Sequence, residues 1–181
     1  MTTTILTLVG SLRAGSVNRH LAEMIREQAP RGVHIEIATG LDALPFYNED
    51  LDEDDVPAQV REFRARVAAA DRLLVVTPEY NGTMPAVIKN AIDWLSRPYG
   101  AGAIVGKPLG VTGVTPTPYG GKWAHEDTVK SARIAGAAVL EDLVVSQSSL
   151  EIDVFTNSEA RSNFATLIAR LVDAGQETLA A

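Results

Sequence analysis

The apolar positions of this chain follow two periods that take turns. Short β-branched or aliphatic runs alternate with longer runs in which apolar residues recur every three or four positions. Residues 3–9 (Thr-Thr-Ile-Leu-Thr-Leu-Val) predict strand one. Residues 17–28 predict helix one, with Val17, Leu21, Met24 and Ile25 on its buried face, and Pro30-Arg31-Gly32 ends it. Residues 33–38 predict strand two. The polar segment 39–55 ends in an acidic run over residues 49–55. Helix two is expected over 57–70, burying Val60, Phe63 and Val67, with the preceding acids suited to its N-terminus. Strand three spans 72–77 and holds Leu73-Leu74-Val75-Val76. After a loop at 78–85, helix three spans 86–96 and buries Val87, Ile88, Ala91, Ile92 and Leu95. Strand four covers 108–114, followed by a Gly/Pro-rich loop at 115–121. Helix four is predicted over 124–138, and its C-terminal half is rich in small residues. Strand five is placed within 143–154, interrupted around 146–149. Helix five is placed over 158–176 with Phe164, Leu167, Ile168, Leu171 and Val172 inward.

Five strands alternating with five helices imply a parallel sheet covered on both faces. The expected fold is α/β, a flavodoxin-like three-layer sandwich with strand order 2-1-3-4-5, as one domain over residues 1–181. In such a sheet the ligand crevice lies at the carboxyl ends of strands one, three and four, around the switch point. The loops that leave those ends are also the loops of unusual composition.

The loop after strand one reads Gly10-Ser11-Leu12-Arg13-Ala14-Gly15-Ser16-Val17-Asn18. A strand feeding such a loop into a helix presents the free N–H groups of the first helical turn, at Val17, Asn18 and Arg19, to an anion. Ser11, Ser16 and Asn18 add short polar side chains, and Arg13 adds a charge-assisted contact. Leu12 occupies the second glycine position of a dinucleotide fingerprint. Ser16 occupies the lysine position of a Walker loop. The loop therefore suits one terminal phosphate, as in flavin mononucleotide (FMN). An ordinary strand–helix turn capped by Ser16 is the alternative.

The loop after strand three reads Pro78-Glu79-Tyr80-Asn81-Gly82-Thr83-Met84-Pro85. Asn81-Gly82 permits a tight turn of positive φ, whose N–H groups would face a flavin ring edge, and Tyr80 would lie beside the ring plane. A stiff turn between strand three and helix three is the alternative reading.

Composition narrows the function classes. The chain has 181 residues, a formal charge of −7, no cysteine and 46% apolar residues. The acidic balance argues against nucleic-acid binding. The missing thiols exclude disulfides and thiol catalysis and fit a cytoplasmic protein. No apolar run approaches the ~18 residues of a membrane helix, and no secretory signal is visible. His20, His34 and His125 lack metal-ligand spacing, so no metal is expected. The acidic run at 49–55 reads as a solvated face. His20 is read as structural. His125 reads as a surface histidine at a helix start, or else as a group facing the acceptor. Trp94 reads either as core-edge packing or as a subunit contact. Glu36 lies inside strand two and is poorly placed to hold a ribose.

Gly10-Ser11-x-Arg13-x-x-Ser16-x-Asn18, Pro78-Glu79-Tyr80-Asn81 and Lys89-Asn90-Ala91-Ile92-Asp93-Trp94-Leu95-Ser96 together resemble the NAD(P)H-dependent FMN reductase family, which includes bacterial quinone and chromate reductases. Leu44-Pro45-x-Tyr47-Asn48-x-Asp50-Leu51 is similar to that family's loop after strand two. The resemblance covers residues 5–153. It implies that Ser11, Arg13, Ser16, the backbone of Val17, and Asn18 hold the FMN phosphate. It implies that Pro78, Glu79, Tyr80, Asn81 and Gly82 frame the isoalloxazine, with Gly113 and Gly120 contributed by the strand-four loop. The family's usual Gly-Gly-x-Arg is Gly120-Gly121-Lys122-Trp123 here, so the acceptor side departs from the pattern. Lys122 and Arg13 are candidates for the phosphates of NADPH or NADH. The implied chemistry is hydride transfer from the nicotinamide to flavin N5 and on, in ping-pong order, to a small-molecule electron acceptor such as a quinone or free flavin. A flavodoxin-type electron carrier, or an FMN-binding module without turnover, is the alternative. A phospho-receiver is excluded, because Val9-Gly10 and Thr77-Pro78 stand where it needs carboxylates. The family implies a homodimer or homotetramer, with residues 44–50 or the region around Trp94 near the contact.

Overall fold

A computed structural model of the protein describes residues 2–53 and 55–174. Asp54 of the acidic run and the last two positions of the expected helix five lie outside the described residues. Five parallel strands form one sheet in the order β2-β1-β3-β4-β5. They are β1 (Thr3–Val9), β2 (Val33–Ile37), β3 (Arg72–Val76), β4 (Pro108–Thr115) and β5 (Ala138–Ser148). The helices are α1 (Val17–Glu27), α2 (Ala58–Ala69), α3 (Ala86–Leu95), α4 (Lys122–Ile134) and α5 (Ser158–Asp173). Short 3₁₀ turns at Leu41–Ala43 and Glu49–Leu51 break up the polar segment after β2. The flavodoxin-like sandwich and its strand order are as expected. Among the described residues, no helix is long and apolar enough to cross a membrane.

Strand alternation sends side chains to two cores. Leu6, Leu8, Leu73 and Val75 join α2, α3 and α4 on one face. Ile5, Val9, Leu74 and Val76 join α1 and α5 on the other. Each such side chain withdrawn from water contributes roughly 1.5–3 kcal/mol before the entropy of ordering is subtracted. β1 and β3 are neighbours although β2 separates them in sequence. Their connections leave in opposite directions, and this opens a crevice at their carboxyl ends.

Three expectations need correction. Val17 lies on the exposed side of α1, and the buried face is Asn18, Leu21, Ala22 and Ile25. More consequentially, α4 stops at Ile134 and β5 begins at Ala138, inside the predicted helix. Gly136 adopts φ 98°, a left-handed turn that ends the helix, and Ala137 N–H returns to the Ala132 carbonyl at 3.0 Å. The alanines at 135, 137 and 138 favour helix locally, against Gly136 between them. Pairing with β4, from Pro108 opposite Ala138 to Thr115 opposite Ser148, overrides that preference. The strand is also continuous through 146–148. Its irregularity lies earlier, at a register shift opposite Leu109 and Val111, and residues 149–154 leave the sheet.

Candidate functional site

The ladder between β3 and β4 stops at the crevice. Thr77 N–H donates to the Thr112 carbonyl at 2.9 Å. In a continued parallel ladder, Val114 N–H would donate to the Thr77 carbonyl, and Glu79 N–H to the Val114 carbonyl. Neither bond forms. Instead the Asn18 side chain takes both groups of Val114. Its Oδ1 accepts from Val114 N at 2.9 Å, and its Nδ2 donates to Val114 O at 2.9 Å. The Thr77 carbonyl turns to His125, whose Nε2 lies 3.2 Å away. Two buried side chains thus satisfy the strand ends that a ligand crevice would otherwise leave bare.

Asn18 is buried with both amide atoms committed to β4. Its Oδ1 and one Nδ2 hydrogen are spent on β4, which leaves a phosphate its backbone N–H and the second Nδ2 hydrogen. The rest of the first loop is a set of unused donors. Among the described residues, the N–H groups of Ser11, Leu12, Arg13, Ala14, Gly15, Val17 and Asn18 have no protein acceptor. Ser16 N–H closes a turn onto the Arg13 carbonyl at 3.1 Å, and Ser16 Oγ caps α1 by accepting from Arg19 N at 3.3 Å. Gly10 is required by space, since a Cβ there would stand 2.4 Å from Thr77 Oγ1. Arg13 is exposed and lines a hollow of about 470 Å³ together with Ser11 and Arg19.

In the second loop, Asn81 and Gly82 have φ values of 53° and 76°. Tyr80 N–H donates to Thr83 O at 3.0 Å, and Thr83 N–H returns to Tyr80 O at 3.2 Å. This is a tight two-residue turn of the kind an Asn-Gly pair favours. The N–H groups of Glu79, Asn81 and Gly82 have no protein acceptor among the described residues. Pro78 is buried beneath the turn and Tyr80 is exposed beside it. The Glu79 side chain turns away from the turn. Its Oε2 accepts from Trp123 N at 3.1 Å and Ala124 N at 3.3 Å, which caps α4. Thr83 Oγ1 donates to Asp127 Oδ2 at 2.7 Å, a second tie to α4.

Near the end of β4, where the third loop departs, Gly113 is buried, and a Cβ there would stand 2.0 Å from the Thr77 carbonyl oxygen and 2.7 Å from His125 Nε2. Gly120 has φ 61° and packs against the Gln147 backbone. Gly113 therefore lets the ends of β3 and β4 approach, and Gly120 lets the third loop lie against β5. His125 is wholly buried, which corrects both the surface and the acceptor-facing readings. A carbonyl can only accept, so Nε2 carries the hydrogen, and Nδ1 accepts from the Ser146 hydroxyl at 2.6 Å. Burial holds its pKa below the ordinary 6.5, while the Thr77 carbonyl and the Glu79 charge partly oppose that shift. The spacing of His125, Thr128 and Ala132 on the buried face of α4 is the sequence signal for this position.

The other candidates fall outside the crevice. Trp94 is fully buried and donates from Nε1 to the Pro45 carbonyl at 2.7 Å, so it belongs to the core and not to a subunit contact. Asn90 holds the same segment through Tyr47 N and Pro45 O. Glu36 pairs with Arg66 at 2.6 Å. Asp52 of the acidic run receives a bidentate Arg64 at 2.8 and 3.0 Å, so the run is partly an anchor onto α2. His20 is exposed and meets Phe155 edge-on. A cleft of about 1180 Å³ runs between α3 and α4 and begins at Tyr80 and Asn81.

Residues 3–150 match the model of a family described as NADPH-dependent FMN reductase. The chain belongs to that family. A quinone reductase of Pseudomonas putida (strain KT2440) is 43% identical over 118 residues, covering 65% of this chain and 63% of the relative. The match thus spans less than two thirds of that relative's length. A second quinone reductase from Pseudomonas putida is 39% identical over 148 residues, with 75% and 79% covered. Among solved structures, the flavoenzyme NAD(P)H:(acceptor) oxidoreductase FerB from Paracoccus denitrificans superposes with a TM-score of 0.86 at 28% identity, covering 97% of this chain and 98% of that one. For a member of the FMN reductase family, the site chemistry is consistent. An array of unpaired N–H groups with Ser11, Ser16 and Arg13 suits a phosphate dianion. The fixed donors at Glu79, Asn81 and Gly82 suit a polar ring edge.

Proposed function

We propose that this protein is an FMN-dependent NAD(P)H oxidoreductase. The overall reaction is NAD(P)H + H⁺ + quinone → NAD(P)⁺ + hydroquinone, with free flavin or a similar small molecule as the other acceptor class. The reading rests on one observation above the others. The β3–β4 ladder ends at the switch point between two loops whose backbone donors are unspent, and side chains repair the ladder from behind. Backbone N–H groups of the first loop, with Ser11, Ser16 and Arg13, would anchor the phosphate, and Val17 and Asn18 would add main-chain donors. Pro78, Tyr80, Asn81 and Gly82 would frame the ring, with Gly113 and Gly120 keeping the third loop close. The Glu79 N–H would face the ring edge, while its carboxylate acts one step removed, by holding α4 against the ring loop. Bound FMN supplies hydride acceptance at N5, which lets donor and acceptor use one position in turn. The protein's share is orientation and electrostatics. Nothing in that scheme needs a titrating side chain.

The same reading places the protein in the cytoplasm as a homodimer or homotetramer. Exposed Phe46 supports residues 44–50 as part of a contact. The α3–α4 cleft offers a second surface, continuous with the ring loop at Tyr80 and Asn81. The test is an FMN titration followed in the same cuvette by anaerobic NADPH or NADH and then a quinone. Micromolar or tighter binding, bleaching on the nicotinamide and recolouring with quinone are expected. FMN binding without bleaching would favour a flavodoxin-type carrier or sensor, and absence of binding would overturn the site itself.

A further inference from the structure

We propose that Tyr119 and Trp123 form an aromatic platform that selects fused-ring acceptors, a proposal that rests on the reductase reading above. The two rings lie 4.6 Å apart between centroids at an interplanar angle of 40°. They are exposed to 57% and 45%, although both stand on the loop and first turn that border the crevice. A pair of large rings left half in water has apolar area to spare, and a planar ligand recovers it by stacking.

The platform is also held still. Gly120 N–H closes onto the Thr117 carbonyl at 3.2 Å, and Lys122 N–H onto the Tyr119 carbonyl at 3.1 Å. Gly120 and Gly121 take φ values of 61° and 88°, which reverse the chain between the two rings. Trp123 N is fixed by Glu79 Oε2 at 3.1 Å. Glu79 stands two residues before the Asn81-Gly82 turn, so one carboxylate ties the platform to the loop that frames the ring. A surface ordered before binding loses little entropy when a ligand arrives. Tyr119 and Trp123 are specificity-determining residues in this scheme. They touch the acceptor's ring plane and take no part in proton or hydride movement.

The experiment uses FMN-loaded protein and three acceptors: menadione, p-benzoquinone and ferricyanide. In Trp123→Ala, the ratio of kcat/KM for menadione to that for ferricyanide falls about five- to tenfold, mainly through KM, with a smaller fall for p-benzoquinone. Tyr119→Ala moves the same ratio in the same direction. A second readout needs no turnover. The chain has two tryptophans, and Trp94 is fully buried. Menadione added without a nicotinamide donor should quench tryptophan emission, and Trp123→Phe should remove that quenching. An unchanged acceptor ratio, or quenching that survives in Trp123→Phe, overturns the platform. So does a change of oligomeric state with the ratio intact, which would assign the pair to an interface between copies. Quenching by menadione in a protein that reduces no acceptor would keep the platform and sink the reductase reading.

Discussion

Replacing Asn18 by alanine separates a clamp on the sheet from a ligand for phosphate. The Asn18 amide satisfies one buried N–H and one buried C=O of Val114, both at 2.9 Å. Its loss leaves two main-chain groups without partners at the point where β3 can no longer supply them. A buried unsatisfied group costs about 1–3 kcal/mol, so two cost roughly 2–6 kcal/mol. Water entering the vacated space through the crevice would hold the loss near the lower end, about 2–4 kcal/mol. Against a typical total of about 5–15 kcal/mol, that is a large share. Urea unfolding of the apoprotein by far-UV circular dichroism measures it as a fall in midpoint at constant slope. Asn18→Asp should lose at least as much, because it keeps an acceptor for Val114 N–H but turns a carboxylate oxygen toward the Val114 carbonyl. An FMN titration of the same variants completes the test. If Asn18→Ala unfolds within about 0.5 kcal/mol of the parent yet binds FMN tenfold more weakly, the side chain serves the phosphate and the clamp reasoning is wrong.

Further tests address the other supports of the crevice. Gly113→Ala forces a Cβ to 2.0 Å from the Thr77 carbonyl oxygen, so at least about 1–3 kcal/mol of stability and most FMN affinity should be lost; an unchanged melting temperature would contradict it. His125 has a folded-state pKa below the ordinary 6.5, so the unfolded chain takes up its proton first as pH falls. Stability should therefore decline as pH drops below about 6.5, and His125→Gln, read by thermal melts across pH 5–8, should flatten that part of the curve. Ser16→Ala removes the α1 cap and should cost about 0.5–2 kcal/mol in urea, with a parallel loss of FMN affinity. Arg13→Ala should leave stability within about 0.5 kcal/mol of the parent and weaken FMN several-fold, most strongly at low salt. Equal FMN affinity at low and high salt would remove Arg13 from the phosphate site.

Local pattern carried far in this protein. Alternating apolar runs, with α-helical stretches between them, determined a covered parallel sheet. The period of side-chain burial in each element leaves few other ways to hide Leu6, Leu8, Leu73 and Val75. Ser16 as a cap and Asn81-Gly82 as a turn were legible too, because caps and turns depend on a few adjacent residues. Tertiary structure decided the rest. Ala137 and Ala138 suit a helix taken alone, yet Gly136 turns the chain out of α4, β4 offers unpaired backbone groups, and Ala138 and its successors satisfy them. Asn18 reads as a phosphate ligand from its neighbours in sequence, and its second role, the clamp on Val114, joins residues 96 positions apart. His125 looked like a surface residue at a helix start, but Thr77, 48 residues earlier, brings its carbonyl beneath it. These roles follow from where strands stop and which backbone groups are left over. A chain reveals them only once its strands lie side by side.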